Sequence, residues 1–263
     1  MENKYYSIDI VFSEKDFENG NLLPNVLLDK FQTIASMHAQ SLGVGFDDML
    51  AKNLLWITMR IKYKILCQPK PNEKLLLFTY PQAKNNVEFD RDYEIKSQDG
   101  RTLIIATSKW CLLDATTRRL ARMTNVDVPI AQGKEPLFCE KFLKTETFIP
   151  SGKPNFSYKV SEKDIDKNGH MNNTVYAKLV FDALEKGVFI KQFQINFLHE
   201  AMIGNTLDVF VKKEENNFVI VGTLGDNVIS FSALVKQQWL WIFLNKYLIE
   251  KKSKMLKNFV LFL

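Results

Sequence analysis

The sequence predicts an α+β chain in which one structural plan is used twice. Three observations predict it. Runs of alternating apolar and polar residues, the period of a half-buried strand, recur along the 263 residues. Two stretches instead carry apolar residues at helical spacing, and each follows a short strand-like run. Asn-Asn, Asp-Gly and Pro-containing segments separate the runs, as antiparallel hairpins require.

In the first copy, residues 5–12 alternate like a strand. Pro24 then opens a helical stretch to about Leu42, with Leu27, Leu28, Phe31, Ile34, Ala35 and Leu42 on its apolar face. Gly43 and Gly45 suit its end. Strands are expected at 56–67, 74–82, 87–96 and 102–114, with turns at Pro69 and Pro71, Asn85-Asn86 and Asp99-Gly100.

The second copy begins with a strand at 155–160 and a helix at 173–186, whose apolar face is Tyr176, Leu179, Val180, Ala183 and Leu184. Its further strands are expected at 190–199, 206–213, 218–224 and 228–237. Asn216-Asn217 and Gly225-Asp226-Asn227 mark the hairpins. Pro129, Gly133, Pro136 and Pro150 suit a connection between the copies. The chain thus divides into a first unit at 1–128, a linker at 129–150, a second unit at 151–238 and a tail at 239–263.

The tail opens on Trp239-Leu240-Trp241-Ile242-Phe243-Leu244 and continues with Lys246, Lys251, Lys252 and Lys254. It is too short and too charged to span a bilayer. It packs on its own domain, lies on a membrane as a basic amphipathic helix, or is an extension with no selected role, and packing or partial disorder is favoured over membrane contact.

Chemistry concentrates in Asp164-Ile165-Asp166-Lys167-Asn168-Gly169-His170-Met171-Asn172-Asn173. Asp166, Asn168 and His170 put a carboxylate, a carboxamide and an imidazole at every second position. If the segment is extended, all three face one surface. Asn172 and Asn173 are good N-cap residues, and the first amides of the helix behind them offer partial positive charge to an oxyanion. Such a set can hydrolyse an activated carbonyl. The spacing also fits an Asx-turn leading into a capped helix. One histidine with one or two carboxylates, and no Cys pair nearby, is thin for zinc, so neither a metal nor a cofactor is expected.

Composition bounds the rest. A hydrophobic fraction of 46% and a charged fraction of 25% are those of a soluble globular protein. Cys67, Cys111 and Cys139 are odd in number and far apart, which predicts reduced thiols in a cytoplasmic setting, with Cys111 in a strand core. Met1-Glu2-Asn3-Lys4 starts without an apolar stretch, so no signal peptide is expected. A net charge of +5 is far too weak to argue nucleic-acid binding, although its sign suits an acidic protein partner. His38 lies inside the first helix and is expected to be a packed or partly exposed side chain. Arg118, Arg119 and Arg122 cluster at a turn, either as a solvated hairpin tip or as a docking surface.

The segment from Asp164 to Tyr176 resembles the catalytic signature of the acyl-acyl carrier protein thioesterases, which reads D-x-D-x-N-x-H-x-N-N-x-x-Y. Trp110-Cys111-Leu112-Leu113-Asp114-Ala115-Thr116-Thr117-Arg118-Arg119-Leu120-Ala121-Arg122 resembles the family's W…T-R-R-L-x-R strand and turn. Phe197-Leu198-His199-Glu200 aligns with the strand end that carries the family's catalytic Glu. The three segments keep the family's order over about residues 5–236.

The resemblance implies two tandem hotdog domains, each a long helix wrapped by a curved antiparallel sheet. It implies a site of Asp166, Asn168, His170 and Glu200 in the second unit, with the first unit shaping an acyl pocket. The first helix starts at Leu22-Leu23-Pro24-Asn25, without the motif. His199, beside Glu200, is expected on the opposite face of the strand. The implied activity is hydrolysis of the thioester of fatty acyl chains on an acidic acyl carrier protein, by a monomer or a homodimer. An acyl-coenzyme A thioesterase and a non-catalytic acyl-binding protein are the alternatives. In one respect the chain departs from the pattern: plant members often carry a Cys just after the Glu, and here Ala201 stands there, which removes any nucleophilic Cys at that point.

Overall fold

The computed structural model describes residues 5–84, 86–126, 128, 135–138, 140–142, 148, 150–167, 169–225 and 228–238. Asn168, the Asp226-Asn227 turn, most of the linker and the tail after Gln238 lie outside the described residues.

In chain order the first half holds β1 (Tyr6–Val11), β2 (Phe17–Glu18), β3 (Asn21–Leu22), α1 (Pro24–Ser41), α2 (Phe46–Leu50), β4 (Leu54–Ile65), β5 (Lys74–Lys84), β6 (Phe89–Ser97), β7 (Thr102–Asp114) and β8 (Leu120–Ala121). The second half holds β9 (Phe156–Lys159), α3 (Asn173–Asp182), β10 (Ile190–Phe197), β11 (Thr206–Glu214), β12 (Asn217–Leu224) and β13 (Val228–Gln237). Every expected strand is present within a few residues. The additions are β2, β3, β8 and α2, all too short to show a period.

The two halves form one eleven-stranded sheet in the order β1-β5-β6-β7-β4-β10-β13-β12-β11-β9, with β8 paired to β7. Numbering the five main strands within each half, the order is 1-3-4-5-2 followed by 2-5-4-3-1. The halves therefore meet symmetrically, second strand against second strand. At this seam β4 and β10 run antiparallel, from Gln192 opposite Lys64 to Asn196 opposite Arg60. Tyr63 and Phe193 face each other there with ring centroids 5.1 Å apart. Each half thereby covers an edge strand that would otherwise template unwanted pairing.

The symmetry is also visible as a repeated tetrapeptide. Ser13-Glu14-Lys15-Asp16 and Ser161-Glu162-Lys163-Asp164 both form a single 3-10 turn closed by the same contacts. The Asp carboxylate accepts from the Ser amide at 2.7 Å in the first copy and 2.9 Å in the second, and from the Ser hydroxyl in both.

One core serves both halves. Leu27, Leu28, Phe31, Ile34 and Ala35 of α1 and Tyr176, Ala177, Leu179 and Val180 of α3 are buried in the same apolar cluster, and the two helices pack against each other. His38 is fully buried on α1, where its Nδ1 lies 3.1 Å from the buried guanidinium of Arg91 and its ring stacks on Tyr6. α3 ends at Asp182 rather than near Lys186. Its last turn tightens through Leu184 N to Phe181 O, and Gly187 at φ +87° redirects the chain into β10. Asn21, from the first half, clamps that junction: its amide donates to Val188 O, and its carbonyl accepts from Ile190 N, both at 2.9 Å.

Part of the linker is strapped over the outer face of the first half. Lys62 donates to Glu140 O at 2.6 Å and sits over the rings of Phe138 and Phe142, while Leu137 N donates to Asp92. No helix among the described residues is long and apolar enough to cross a membrane.

Gly222 on β12 is dictated by packing. A Cβ there would stand 1.9 Å from Cε1 of Phe231, a fully buried ring held edge-on to Tyr176. Gly222→Ala is therefore expected to destabilise the protein by about 1–3 kcal/mol, seen as a lower denaturation midpoint. An unchanged midpoint would refute this account of the core.

Candidate active site

The segment from Ile165 to Met171 is a closed loop, not an extended strand. Ile165 and Met171 form an antiparallel bridge. Asp166 N donates to His170 O at 2.8 Å, and Gly169 N donates to Asp166 O at 3.1 Å. His170 N lies 3.3 Å from Asp166 Oδ1, so the carboxylate caps its own loop. Gly169, at φ +80°, supplies the left-handed step that the closure needs. The extended reading of Asp166 to His170 fails because this loop satisfies its polar groups internally.

Asn172 caps α3, its Oδ1 accepting from both the amide and the hydroxyl of Thr174 at 2.9 Å. Val175 N is taken by Asn172 O. These helix amides are committed to capping, and the oxyanion role expected of them loses two donors.

Glu200 arrives from the end of β10. The strand stops at Phe197 because Leu198 N and His199 N share one acceptor, Ser230 O, at 2.8 and 3.0 Å. The resulting kink turns Glu200 off the sheet. His199 goes elsewhere, its Nδ1 2.7 Å from Ile229 O. Two contacts of Ala201 then lock the Glu200 segment, one to the loop and one to α3. Met171 N donates to Ala201 O at 2.9 Å, and Ala201 N donates to the Tyr176 hydroxyl at 3.0 Å. Tyr176 also pairs with Ser230, whose hydroxyl donates to His199 O at 2.6 Å. Burial, the largest cause, pushes the Tyr176 phenol above its ordinary pKa.

The result is a pair that is remote in sequence and adjacent in space: His170 Nε2 lies 3.2 Å from Glu200 Oε2. The imidazole is 17% exposed and the carboxylate 41%, so the pair is open on one side. A third member comes from the first half. Arg118 Nη2 reaches both carboxylate oxygens of Glu200, at 2.5 and 2.7 Å. Sequence reasoning placed Arg118 at a solvated or docking turn, but its side chain is spent on Glu200.

A small pocket lies between the two halves. Leu28, Phe31, Ile61, Trp110, Asn173 and Phe197 are among its walls, contributed by both halves. Cys111 lies close enough to feel Glu200, but burial, then Glu88 and Glu200, push its thiol up to about 11, which leaves it protonated and inert.

The hydroxyl of Tyr176 carries the local geometry. Tyr176→Phe leaves the Ala201 amide without its acceptor, and a loss of about 1–3 kcal/mol is expected in urea unfolding. A Phe variant as stable as the parent would remove Tyr176 from this role.

Comparison with known proteins adds the lineage. Residues 2–128 match the family model for the acyl-ACP thioesterase N-terminal domain, and residues 152–236 match that for the C-terminal domain. The oleoyl-acyl carrier protein thioesterase 2 of Arabidopsis thaliana is 25% identical over 217 residues, covering 74% of this chain and 59% of the relative. The palmitoyl-acyl carrier protein thioesterase of Gossypium hirsutum is 26% identical over 189 residues, covering 65% of this chain and 46% of the relative. The chain thus spans less than two thirds of the length of these plant relatives. Among solved structures, an acyl-ACP thioesterase from Bacteroides thetaiotaomicron superposes with a TM-score of 0.82 at 23% identity, covering 90% of this chain and 99% of that one. The 12:0-ACP thioesterase of Umbellularia californica superposes with a TM-score of 0.71 at 16% identity, covering 89% and 97%. The architecture is that of two tandem hotdog domains. With both family models matched in order along most of its length, the chain belongs to the acyl-ACP thioesterase family.

Proposed function

We propose that this protein hydrolyses the thioester linking a fatty acyl chain to an acidic acyl carrier protein, releasing free fatty acid and the carrier thiol. The observation that carries the reading is the His170–Glu200 pair of the second half, 3.2 Å apart and met by Arg118 of the first half. Family membership supports the reaction class. The relatives named for oleoyl- and palmitoyl-acyl carrier protein support a protein-borne acyl substrate.

In the proposed chemistry, one member of the pair, Glu200 or His170, takes a proton from a water as its oxygen bonds to the thioester carbon, and holds that proton for the leaving group. The C–S bond then breaks, and the thiolate leaves and collects a proton. Asp166 holds the loop that aims His170, and Asn168 is proposed to hydrogen-bond the reacting groups. A cytoplasmic setting is proposed with this activity, from the unpaired Cys67 and Cys111.

Glu200→Ala, His170→Ala and Asp166→Asn are each expected to lower kcat/KM by about a hundredfold or more, with the fold intact by circular dichroism. Asn168→Ala is expected to cost about tenfold to a hundredfold. Full activity in all of the first three variants would discard the site. Single turnover in labelled water is expected to put the label into the fatty acid alone. Label in the Asp166 carboxylate would replace direct water attack with a mixed anhydride on that residue.

The carrier is proposed to dock beside the Arg118–Glu200 contact. Arg119, Leu120 and Arg122 are exposed next to Arg118, and Leu198, Met202 and Ile203 are exposed around Glu200. A basic and apolar rim of this kind suits an acidic partner. Charge reversal at Arg119 and Arg122 is expected to raise KM about tenfold for the carrier-linked substrate and to leave a short thioester analogue unaffected. Equal effects on the two substrates would move the docking surface elsewhere.

A further inference from the structure

The geometry points to Arg118 as a positioning residue: a guanidinium donated by the first half that fixes the Glu200 carboxylate of the second half for turnover. This rests on the function proposed above.

The turn that carries Arg118 is built to aim it. Asp114, the last residue of β7, accepts from Thr116 N at 3.1 Å, Thr117 N at 2.7 Å and the Thr117 hydroxyl at 2.9 Å, all on Oδ1. Its other oxygen accepts from the Asn53 amide at 2.9 Å, and Asn53 in turn accepts from the Thr116 hydroxyl and from Ala115 N. Arg118 N closes the turn on Asp114 O at 2.9 Å. Asn53 precedes β4, so the start of one strand and the end of its neighbour are tied into one rigid corner. These bonds, led by the Thr117 amide, hold the Asp114 carboxyl below the usual carboxylate range.

The corner also imposes strain. Arg118 sits at φ +58°, the left-handed region that glycine favours. A glycine would relieve the backbone, yet an arginine is present. Strain of this kind persists where surrounding contacts over-determine it and the side chain is needed. The need visible here is the contact with Glu200, reached by one nitrogen bridging both oxygens. At 33% and 41% exposure the ion pair adds little to stability. Its effect is geometric: it removes the rotational freedom of Glu200 and leaves the oxygen facing His170 in place.

The test compares the parent, Arg118→Gly, Arg118→Lys, Glu200→Ala and the double variant Arg118→Gly/Glu200→Ala. Each is assayed on a carrier-linked acyl chain and on a short acyl thioester without the carrier. Arg118→Gly is expected to lower kcat about tenfold to a hundredfold on both substrates, with little change in KM and with Tm held or raised. Arg118→Lys, which keeps one cationic nitrogen, is expected to recover much of that loss. In the Glu200→Ala background, Arg118→Gly is expected to cost nothing further, because its partner is already gone. An unchanged or higher kcat for Arg118→Gly in an active parent overturns the inference and leaves the proposed function standing. So does an effect confined to KM for the carrier-linked substrate. A parent that turns over neither substrate overturns both.

Discussion

The pairing of β4 with β10 governs what the rest of the chain can do. These strands run antiparallel, so as β10 climbs from Gln192 to Asn196 its neighbour descends from Lys64 to Arg60. Extending both by a few residues brings the Glu200 end of β10 beside the Leu54 end of β4. That end of β4 pairs with Asp114 at the end of β7, where the Arg118 turn begins. A shift of one residue at the seam would reverse the facing of every side chain on β10 relative to the core. It would also draw Glu200 away from Arg118. The contact between residues 118 and 200 is therefore a consequence of sheet register, enforced by buried groups such as Tyr63 and Phe193.

This explains which parts of the molecule were legible in the sequence. Strands such as β7 and β13 have long alternating runs between turn residues, and their positions follow from a period of two. Asp166, His170 and Glu200 were legible as residues because they form a recognisable motif with an order. Their arrangement was not. The loop closes through backbone bonds and the Asp166 side chain, and nothing in an alternating polar pattern separates that from an extended strand. Arg118 was visible in a basic cluster and in a family-like turn but not as the partner of Glu200, which lies 82 residues away. The burial of Arg91 against His38 was equally hidden, because a charged residue on an alternating strand predicts the solvent face. The repeated Ser-Glu-Lys-Asp segment was readable in principle and would have fixed the alignment of the two halves residue by residue.

That alignment exposes how two copies of one plan came to hold different work. Asn172 N donates to Asp164 O at 2.8 Å before α3, and Leu23 N donates to Asp16 O at 2.9 Å before α1. Phe17 pairs with Leu22 where Ile165 bridges Met171. Leu66 N and Cys67 N share Leu103 O as Leu198 N and His199 N share Ser230 O. In this frame Glu18 stands for Asp166, Asn21 for His170 and Gln68 for Glu200. The first copy thus has the scaffold of a site without an imidazole or a second carboxylate.

The supporting contacts diverge together with those side chains. Tyr176, on the first turn of α3, accepts the amide of Ala201, which follows Glu200. The counterparts in the first copy are Leu27, which has no hydroxyl, and Pro69, which has no amide to donate. Donor and acceptor are absent as a pair, so the first copy leaves neither group buried and unmatched there. Its loop has been turned to mechanical use: Asn21, at the position of His170, clamps the entry to β10, the strand whose far end carries Glu200. One hairpin holds an imidazole against a carboxylate, and the equivalent hairpin holds the strand that delivers that carboxylate. Neither half assembles this cluster alone, because the second half supplies the imidazole and the carboxylate while the first half anchors the carboxylate's strand and contributes the arginine that meets it.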